Sequence, residues 1–233
     1  SISKLINFKS TAGTDSLANT AGMIESLADA FMFKQSIEED ETKEEVYQRL
    51  GRVMYDDFYA REFSIYEINN DAKNKITPVI IDNVADSACK WCDPQILVRS
   101  DACRARRTGH MIDSCETPLI CNYFAHSEKK QHICLPIIQS GSVGSVVQIV
   151  FDPGEGKHFQ DLIPFIQPYL REASPVIETK RLMATLKESN LTDAMTGLNN
   201  RRFLEEYIDT MVANSTRNNS SISILMLDLD YFK

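Results

Sequence analysis

The sequence predicts a mixed α/β (α+β) fold in which an antiparallel sheet is flanked by helices. Three observations support this: amphipathic helical periodicity early in the chain, paired runs of β-branched and aromatic residues, and a further helical pattern after the last pair. Strands joined by short turns are antiparallel, so doubly wound parallel folds fit less well. The helical patterns cover 15–35, 43–58 and 158–190, and the strand patterns cover 63–69, 75–82, 132–138 and 142–151.

The first helical pattern carries a regular apolar stripe. Its members follow one another at alternating spacings of four and three residues, which is the seam geometry of paired helices. Two interpretations stay open: the stripe packs on its own domain, or it pairs with a second copy of the chain. The stripe consists of Leu17, Ala21, Ile24, Ala28 and Phe31.

Local signals mark two further helices. Thr42 followed by Glu45 is a capping box, which predicts that the second helix begins there. A proline in the first turn of a helix is favourable, so the segment from Pro94 to Arg107 is predicted to be helical as well.

Three prolines lie inside the last helical pattern. Because a proline in a helix interior costs about 3 kcal/mol, Pro164, Pro168 and Pro175 predict kinks, or a break near residues 174–175. A fresh helical segment is expected at 176–190. Residues that are expected to continue a seam toward a partner are Ile177, Ala184 and Leu191.

The composition is that of an ordinary globular protein, with 43% hydrophobic and 25% charged residues. The net charge of −8 argues against nonspecific nucleic-acid binding, which depends on neutralising phosphates. No apolar stretch reaches the roughly 18–20 residues that span a bilayer, and no signal-peptide pattern opens the chain. We therefore expect a soluble, cytoplasmic protein with no membrane span and no nucleic-acid partner.

Two motifs near the C-terminal end are the most specific signals. Residues 191–203 read LTDAMTGLNNRRF, and residues 225–233 read LMLDLDYFK. Together they resemble the opening of the GGDEF domain of diguanylate cyclases, where a D-x-L-T-x-L-x-N-R-R pattern precedes a strand ending D-x-D-x-F-K. Met195 stands where that pattern usually has Leu.

The second motif carries the expected metal and nucleotide ligands. Residues 222–230 are predicted to form a buried strand that ends in two carboxylates, and ligands collect at strand carboxyl ends in open sheets. The resemblance implies that Asp228 and the Leu229 carbonyl hold Mg²⁺, which prefers hard oxygen ligands. It also implies that GTP phosphates approach the backbone amides of Tyr231, Phe232 and Lys233.

The resemblance further implies an enzyme in the parent protein, one that condenses two GTP into cyclic di-GMP as a homodimer. The helices at 15–35 and 158–190 are expected to form that dimer. The GGDEF signature is expected beyond Lys233, so this segment alone is expected to be inactive. The alternative is a metal- or redox-sensing binding module with a degenerate GGDEF domain. Structural roles at the start of the domain, with the carboxylate paired to an arginine, are implied for Asp193, Arg201 and Arg202.

The middle of the chain resembles a GAF sensor domain. The resemblance rests on a C-x-A-x-R-x-G stretch at 103–109, on Cys121, and on a C-x-P strand at 134–136 followed by a G-x-x-G hairpin at 141–144. A PAS-like or other sensor fold is the alternative. The expected organisation is a tail at 1–14, a GAF-like domain at 15–172, a helical signalling linker at 173–190 and the start of a GGDEF domain at 191–233.

All six cysteines lie between Cys89 and Cys134, and Cys134 is expected to face the core. The C-x-x-C at 89–92 supplies two thiols, whereas zinc takes four ligands and an iron–sulfur cluster also needs several thiolates. Three interpretations stay open: a zinc or iron–sulfur site, a reversible dithiol switch, and plain buried thiols. The signal is expected to be an unidentified small molecule or metal. Candidate metal or redox residues are Cys89, Cys92, Cys103, Cys115 and Cys121, and candidate pocket residues are Trp91, Arg107 and His110.

Overall fold

The structure is a computed structural model that describes residues 15–69, 75–84, 89–126, 128–193 and 195–227, with the backbone alone for 15–19. The chain divides into two compact units, Ser1–Arg181 and Leu182–Lys233. No helix among the described residues is both long and apolar enough to cross a membrane.

The elements follow the predicted order of helices, strands and a long closing helix. The helices are α1 (Asp15–Glu38), α2 (Lys43–Arg52), α3 (Gln95–Val98), α4 (Arg104–Thr108), α5 (Gly156–Leu191) and α6 (Arg201–Asn218), with a π-helical turn at Val53–Asp57 and a 3₁₀ turn at Ser100–Ala102. The strands are β1 (Glu62–Asn69), β2 (Lys75–Ile81), β3 (Ile112–Asp113), β4 (Gln131–Gln139) and β5 (Ser142–Phe151).

The five strands form one antiparallel sheet in the order β2-β1-β5-β4-β3. The β4–β5 hairpin closes at the pair Gln139 and Ser142, as the sequence predicts. The first and last strands of the order sit at the sheet edges, and the central strand, β5, is buried on both faces. The predicted mixed α/β fold with an antiparallel sheet is therefore confirmed.

One face of the sheet is covered by α1, α2 and α5. The capping box that begins α2 is present, because the Thr42 side chain accepts from the Glu45 backbone and the Glu45 carboxylate accepts from the Thr42 amide. The helix then fixes its register on the sheet through a buried hydrogen bond of 2.6 Å between the Tyr47 hydroxyl and Ser145 on β5.

Helix α1 packs on this layer with a different face from the predicted stripe. Its buried side includes Ser26, Ala30, Phe33 and Ile37, and the Ser26 hydroxyl donates to the Phe165 carbonyl of α5 at 3.0 Å. The predicted apolar stripe lies outside: Ile24 is 62% exposed and Phe31 is 55% exposed. Of the two interpretations left open, packing of this stripe on its own domain is wrong.

Helix α5 is continuous from Gly156 to Leu191 despite its three internal prolines, so the predicted break near residues 174–175 is wrong. Each interior proline costs about 3 kcal/mol. Full burial of one large apolar side chain stabilises by about 1.5–3 kcal/mol, so the many buried residues of α5 outweigh that cost. The buried apolar residues around the prolines are Phe159, Leu162, Ile163, Ile166, Tyr169, Leu170, Ala173, Val176 and Ile177.

The residues predicted to form a seam on α5 are also partly wrong. Ile177 is fully buried in its own unit and cannot face a partner. The exposed apolar side chains of the last turns are instead Leu182, Met183 and Leu186.

The opposite face of the sheet is covered by short helical turns instead of the predicted helix from Pro94 to Arg107. Backbone breaks at Arg99 and Cys103 separate α3, the 3₁₀ turn and α4. Ile96 and Ala105 are both 2% exposed and both pack toward the sheet. At about 100° per residue, nine positions place them on opposite sides of one continuous helix, so only a broken segment buries both.

The unit Leu182–Lys233 contains α6, which begins at Asn200 with a side-chain cap on the Phe203 amide. Residues 222–227 have no regular secondary structure and are exposed, so the predicted buried strand is not formed over this part, and residues 228–230 lie outside the described residues. A strand needs a neighbouring strand and a covering layer to be buried. Within the described part of this unit no other strand is present.

Candidate functional site

A small thiol-lined pocket lies between the sheet and the short turns of α3 and α4. The space inside it is about 20 Å³, which is roughly the volume that one water molecule needs. The sheet contributes Tyr66, Ile76, Ile112, Cys134, Val146 and Gln148. The covering segments contribute Cys92, Ile96, Cys103, Arg104, Ala105, Cys121 and Tyr123.

The predicted cysteines converge here in part. Cys92, Cys103 and Cys121 line the pocket, and Cys134, predicted as a core residue, is buried and lines it as well. Cys89 lies at the side, where its thiol donates to the Cys92 carbonyl at 3.0 Å.

A short polar network crosses this otherwise apolar pocket. The Tyr66 hydroxyl donates to Gln148 Oε1 at 3.3 Å, and Gln148 Nε2 donates to Cys92 Sγ at 3.4 Å. Sequence reasoning did not single out Tyr66 or Gln148. The usable signal was a glutamine inside the apolar run of β5, because a polar side chain in a doubly buried strand needs a partner.

The thiols of the pocket are held in the neutral form. Burial raises the pKa of Cys89, Cys92, Cys103 and Cys134 above the ordinary thiol value, and for Cys92 and Cys134 neighbouring thiols add to the rise. Since the thiolate is the nucleophile and the metal ligand, these are thiols of low reactivity at neutral pH. In the described part of the chain, which includes all six cysteines, no group of three or more His, Cys, Asp or Glu side chains is arranged to hold a metal ion.

Four of the predicted site residues lie elsewhere. Cys115 is near Gly156 and Gln131, away from the pocket. Trp91 is buried in a neighbouring cluster with Phe124. Arg107 and His110 are exposed, because α4 turns Ala105 inward and the side chain two positions later faces outward. Of the three arginines of α4, namely Arg104, Arg106 and Arg107, only Arg104 lines the pocket.

A buried histidine beside this region lacks hydrogen-bond partners. His132 on β4 is 2% exposed, and neither of its ring nitrogens has a partner among the described residues. Its ring packs on Phe124 with the centroids 4.1 Å apart. Burial lowers the pKa of His132 to about 4, although Asp113 opposes this shift.

This lowered pKa predicts acid sensitivity of the fold. The unfolded chain takes up a proton below about pH 6.5 and the folded chain only near pH 4, so the free energy of unfolding should decrease as the pH falls through this window. Between pH 7 and pH 5 the His132 contribution is about 2 kcal/mol. Urea unfolding of His132→Phe should show a smaller loss over this range than the wild type. His110→Phe, at an exposed site, should keep the wild-type slope, and an unchanged slope in His132→Phe would contradict the assignment.

The first C-terminal motif folds into a tight loop between α5 and α6. One oxygen of Asp193 accepts from the Met195 amide and from the Thr196 amide and hydroxyl, and these bonds lower the pKa of Asp193. Gly197, with φ +70°, completes the turn. Asn200 ties the loop together by donating to the Asn190 and Thr192 carbonyls while it caps α6.

The predicted pairing of Asp193 with an arginine of the doublet is not among these contacts. Asp193 is engaged within its own turn, and Arg201 pairs with Glu205 one helical turn later at 2.7 Å. The residues expected to hold Mg²⁺ and GTP lie outside the described residues: Asp228, Leu229, Tyr231, Phe232 and Lys233.

Comparison with known families gives a match for the C-terminal segment. Residues 190–233 match the family described as diguanylate cyclase, GGDEF domain, which confirms the recognition made from the two motifs. The chain therefore joins a mixed α/β unit to a segment of the GGDEF family. A search of curated proteins gave no match.

Several solved structures are similar to the first part of the chain. Residues 122 to 287 of a methyl-accepting chemotaxis protein are 16% identical, with 66% of this chain and 99% of that chain covered and a TM-score of 0.48. The GAF domain of a phosphoenolpyruvate-protein phosphotransferase from Coxiella burnetii is 14% identical, with coverages of 70% and 96% and a TM-score of 0.48. The corresponding Acinetobacter GAF domain is 9% identical, with coverages of 68% and 94% and a TM-score of 0.47.

Proposed function

We propose that this chain is the regulatory portion of a diguanylate cyclase, which condenses two GTP into cyclic di-GMP. One observation carries the proposal: the GGDEF match begins at residue 190, at the end of a helix whose first half is buried against the sheet unit. Because α5 is continuous, a shift at the sheet is transmitted along the helix toward the cyclase segment. A cytoplasmic location is part of the proposal, because the proposed substrate is GTP.

The cyclase chemistry belongs to the GGDEF domain. By family resemblance, Asp228 and the Leu229 carbonyl hold Mg²⁺, and the amides of residues 231–233 bind GTP phosphates. The metal, when bound, stabilises negative charge on the phosphates. The present segment by itself is proposed to be inactive.

A second copy of the chain is proposed to pack against the exposed apolar stripe of α1. The alternating spacing of Ile24, Ala28 and Phe31 on α1 suits a helix pair related by two-fold symmetry, because the stripe is then complementary to itself. Their outward placement leaves them free to make that contact. Leu182, Met183 and Leu186 on α5 offer a further exposed apolar surface for pairing between copies. Dimer geometry then decides whether two GTP sites meet.

The thiol-lined pocket is the proposed signal site. Its lining is apolar and its buried polar groups are neutral, so it favours a small uncharged molecule over an ion. At about 20 Å³ the pocket is far below the roughly 300 Å³ of typical ligand sites, and a larger ligand therefore has to displace the covering turns. That displacement is the proposed input to α5.

The test uses the full-length protein with GTP and Mg²⁺, and cyclic di-GMP is quantified by chromatography. Insertion of one Ala after Lys187 rotates the following segment by about 100° and should change the activity strongly. Insertion of seven residues at the same place nearly restores the phase and should retain wild-type activity. Absence of cyclic di-GMP in the wild type, with the GTP site intact by binding, would favour the binding-module alternative instead. Equal activity in all three proteins would overturn the role of the helix.

A further inference from the structure

A second concave site lies on the helical side of the sheet unit, away from the thiol-lined pocket. It is an open groove of about 340 Å³ between α1, the π-helical turn and α5. That volume is within the range of sites for small molecules. The groove is lined by Asp29, Met32, Phe33, Ser36, Val53, Asp57 and Tyr169.

The two carboxylates come from different elements. Asp29 projects from α1, and Asp57 ends the π-helical turn that follows α2. Such π-helical turns are uncommon and are frequent at functional sites. Burial raises the pKa of Asp57, and the neighbouring Asp56 and Asp29 raise it further. Among the described residues neither Asp29 nor Asp57 takes part in a salt bridge.

An unpartnered tyrosine hydroxyl supplies the independent observation. Tyr169 is 3% exposed and its ring packs against Phe33 and Phe58. Among the described residues its hydroxyl has no hydrogen-bond partner, although the side chain lines the groove. Burial first, and then Asp29 and Asp57, raise the pKa of Tyr169, so the hydroxyl lies within the field of both carboxylates. The three polar groups thus surround an open space without bonding to one another.

Two other acidic residues in the same layer form salt bridges. Glu172 on α5 is paired with Lys34 on α1 at 3.2 Å, and Glu67 on β1 is paired with Lys43 on α2 at 2.7 Å. Among the described residues, the groove thus keeps two carboxylates without a salt-bridge partner, whereas Glu172 and Glu67 in the same layer each have one. This arrangement favours a positively charged occupant.

We infer that the groove binds a small organic cation, an alkylammonium whose charged end lies between Asp29, Asp57 and the Tyr169 hydroxyl. The apolar side chains of Met32 and Val53 provide walls for the methylene stem. A metal ion suits the site less well, because in the described part of the chain no three metal-binding side chains converge. The size of the groove matches a free small molecule.

The inference is tested by calorimetric titration of the 233-residue chain with 1,4-diaminobutane at low salt. The uncharged 1,4-butanediol is the matched ligand control, and Mg²⁺ is the inorganic control. We expect saturable binding of the diamine alone. Asp29→Asn and Asp57→Asn should each weaken it about tenfold or more, since a charge-assisted hydrogen bond is lost. Tyr169→Phe should weaken it less. Asp56→Asn, at the adjacent carboxylate outside the groove, should change the affinity less than about threefold.

No binding of the diamine to the wild type would overturn the inference, as would wild-type affinity in both Asn variants. Equal binding of Mg²⁺ would overturn the assignment to an organic cation. The Asn variants remove charge repulsion, so their melting temperatures should equal or exceed that of the wild type, and this measurement separates lost binding from lost folding. Because no GTP or cyclase readout is used, the result is independent of the proposed function.

Discussion

Replacement of Ile24 and Phe31 by Asp is expected to convert the proposed dimer into monomers. Both side chains are more than half exposed in one copy, and in the proposed dimer they meet their counterparts in the seam. Burial of an unpaired carboxylate costs several kcal/mol, and each 1.4 kcal/mol is a factor of ten in affinity. The dissociation constant should rise at least about a hundredfold. Sedimentation equilibrium over a range of concentrations measures this change directly.

The loss of the dimer should also remove cyclase activity in the full-length protein, because the proposed reaction needs two GTP to meet across the interface. Gln48→Asp on α2 is the matched control, since it adds a charge at an exposed site away from the stripe. That variant should remain dimeric and active. A wild type that is monomeric at every concentration, or a double variant that stays dimeric, would contradict the proposed pairing through the α1 stripe.

Asp228→Asn is expected to lower cyclic di-GMP synthesis by the full-length protein at least about a hundredfold, because the metal supplies several kcal/mol of stabilisation to the reacting phosphates. The substitution keeps the shape of the side chain and removes the charge that is proposed to hold Mg²⁺. Activity is measured over a series of Mg²⁺ concentrations, and partial recovery at high Mg²⁺ would support the assigned role.

Asp209→Asn on α6 serves as the control for this prediction, since Asp209 is exposed and lies outside both motifs. It should retain wild-type activity. If Asp228→Asn retains it as well, Asp228 is not the metal ligand and the residue roles implied by the resemblance are wrong.

Local patterns were sufficient for much of the fold. The capping box at Thr42 could be predicted because both of its hydrogen bonds join residues three apart. The β4–β5 hairpin could be predicted because two apolar runs flank a short polar turn. The segment from Pro94 to Arg107 could not be predicted, because its breaks serve to bury Ile96 and Ala105 together on a sheet that is distant in sequence.

The residues of the candidate sites were likewise predicted only in part. The C-x-A stretch of the sequence contains Cys103 and Ala105, and both residues line the pocket. Tyr66 and Gln148 were missed because their partners come from other strands and loops. The groove at Asp29 and Asp57 was missed for a related reason: a π-helical turn and two other helices assemble it, and no single segment carries its pattern.

The sequence by itself determined the order of elements, the antiparallel pairing and the GGDEF motifs, since these depend on neighbours within a few residues. Only the tertiary structure decided which face of α1 is buried. The apolar stripe fitted packing on its own domain and pairing with a second copy equally well, yet α1 buries Ser26, Ala30, Phe33 and Ile37 instead. Phe33 and Ile37 enter the core and the Ser26 hydroxyl bonds the Phe165 carbonyl of α5, so Ile24 and Phe31 face outward.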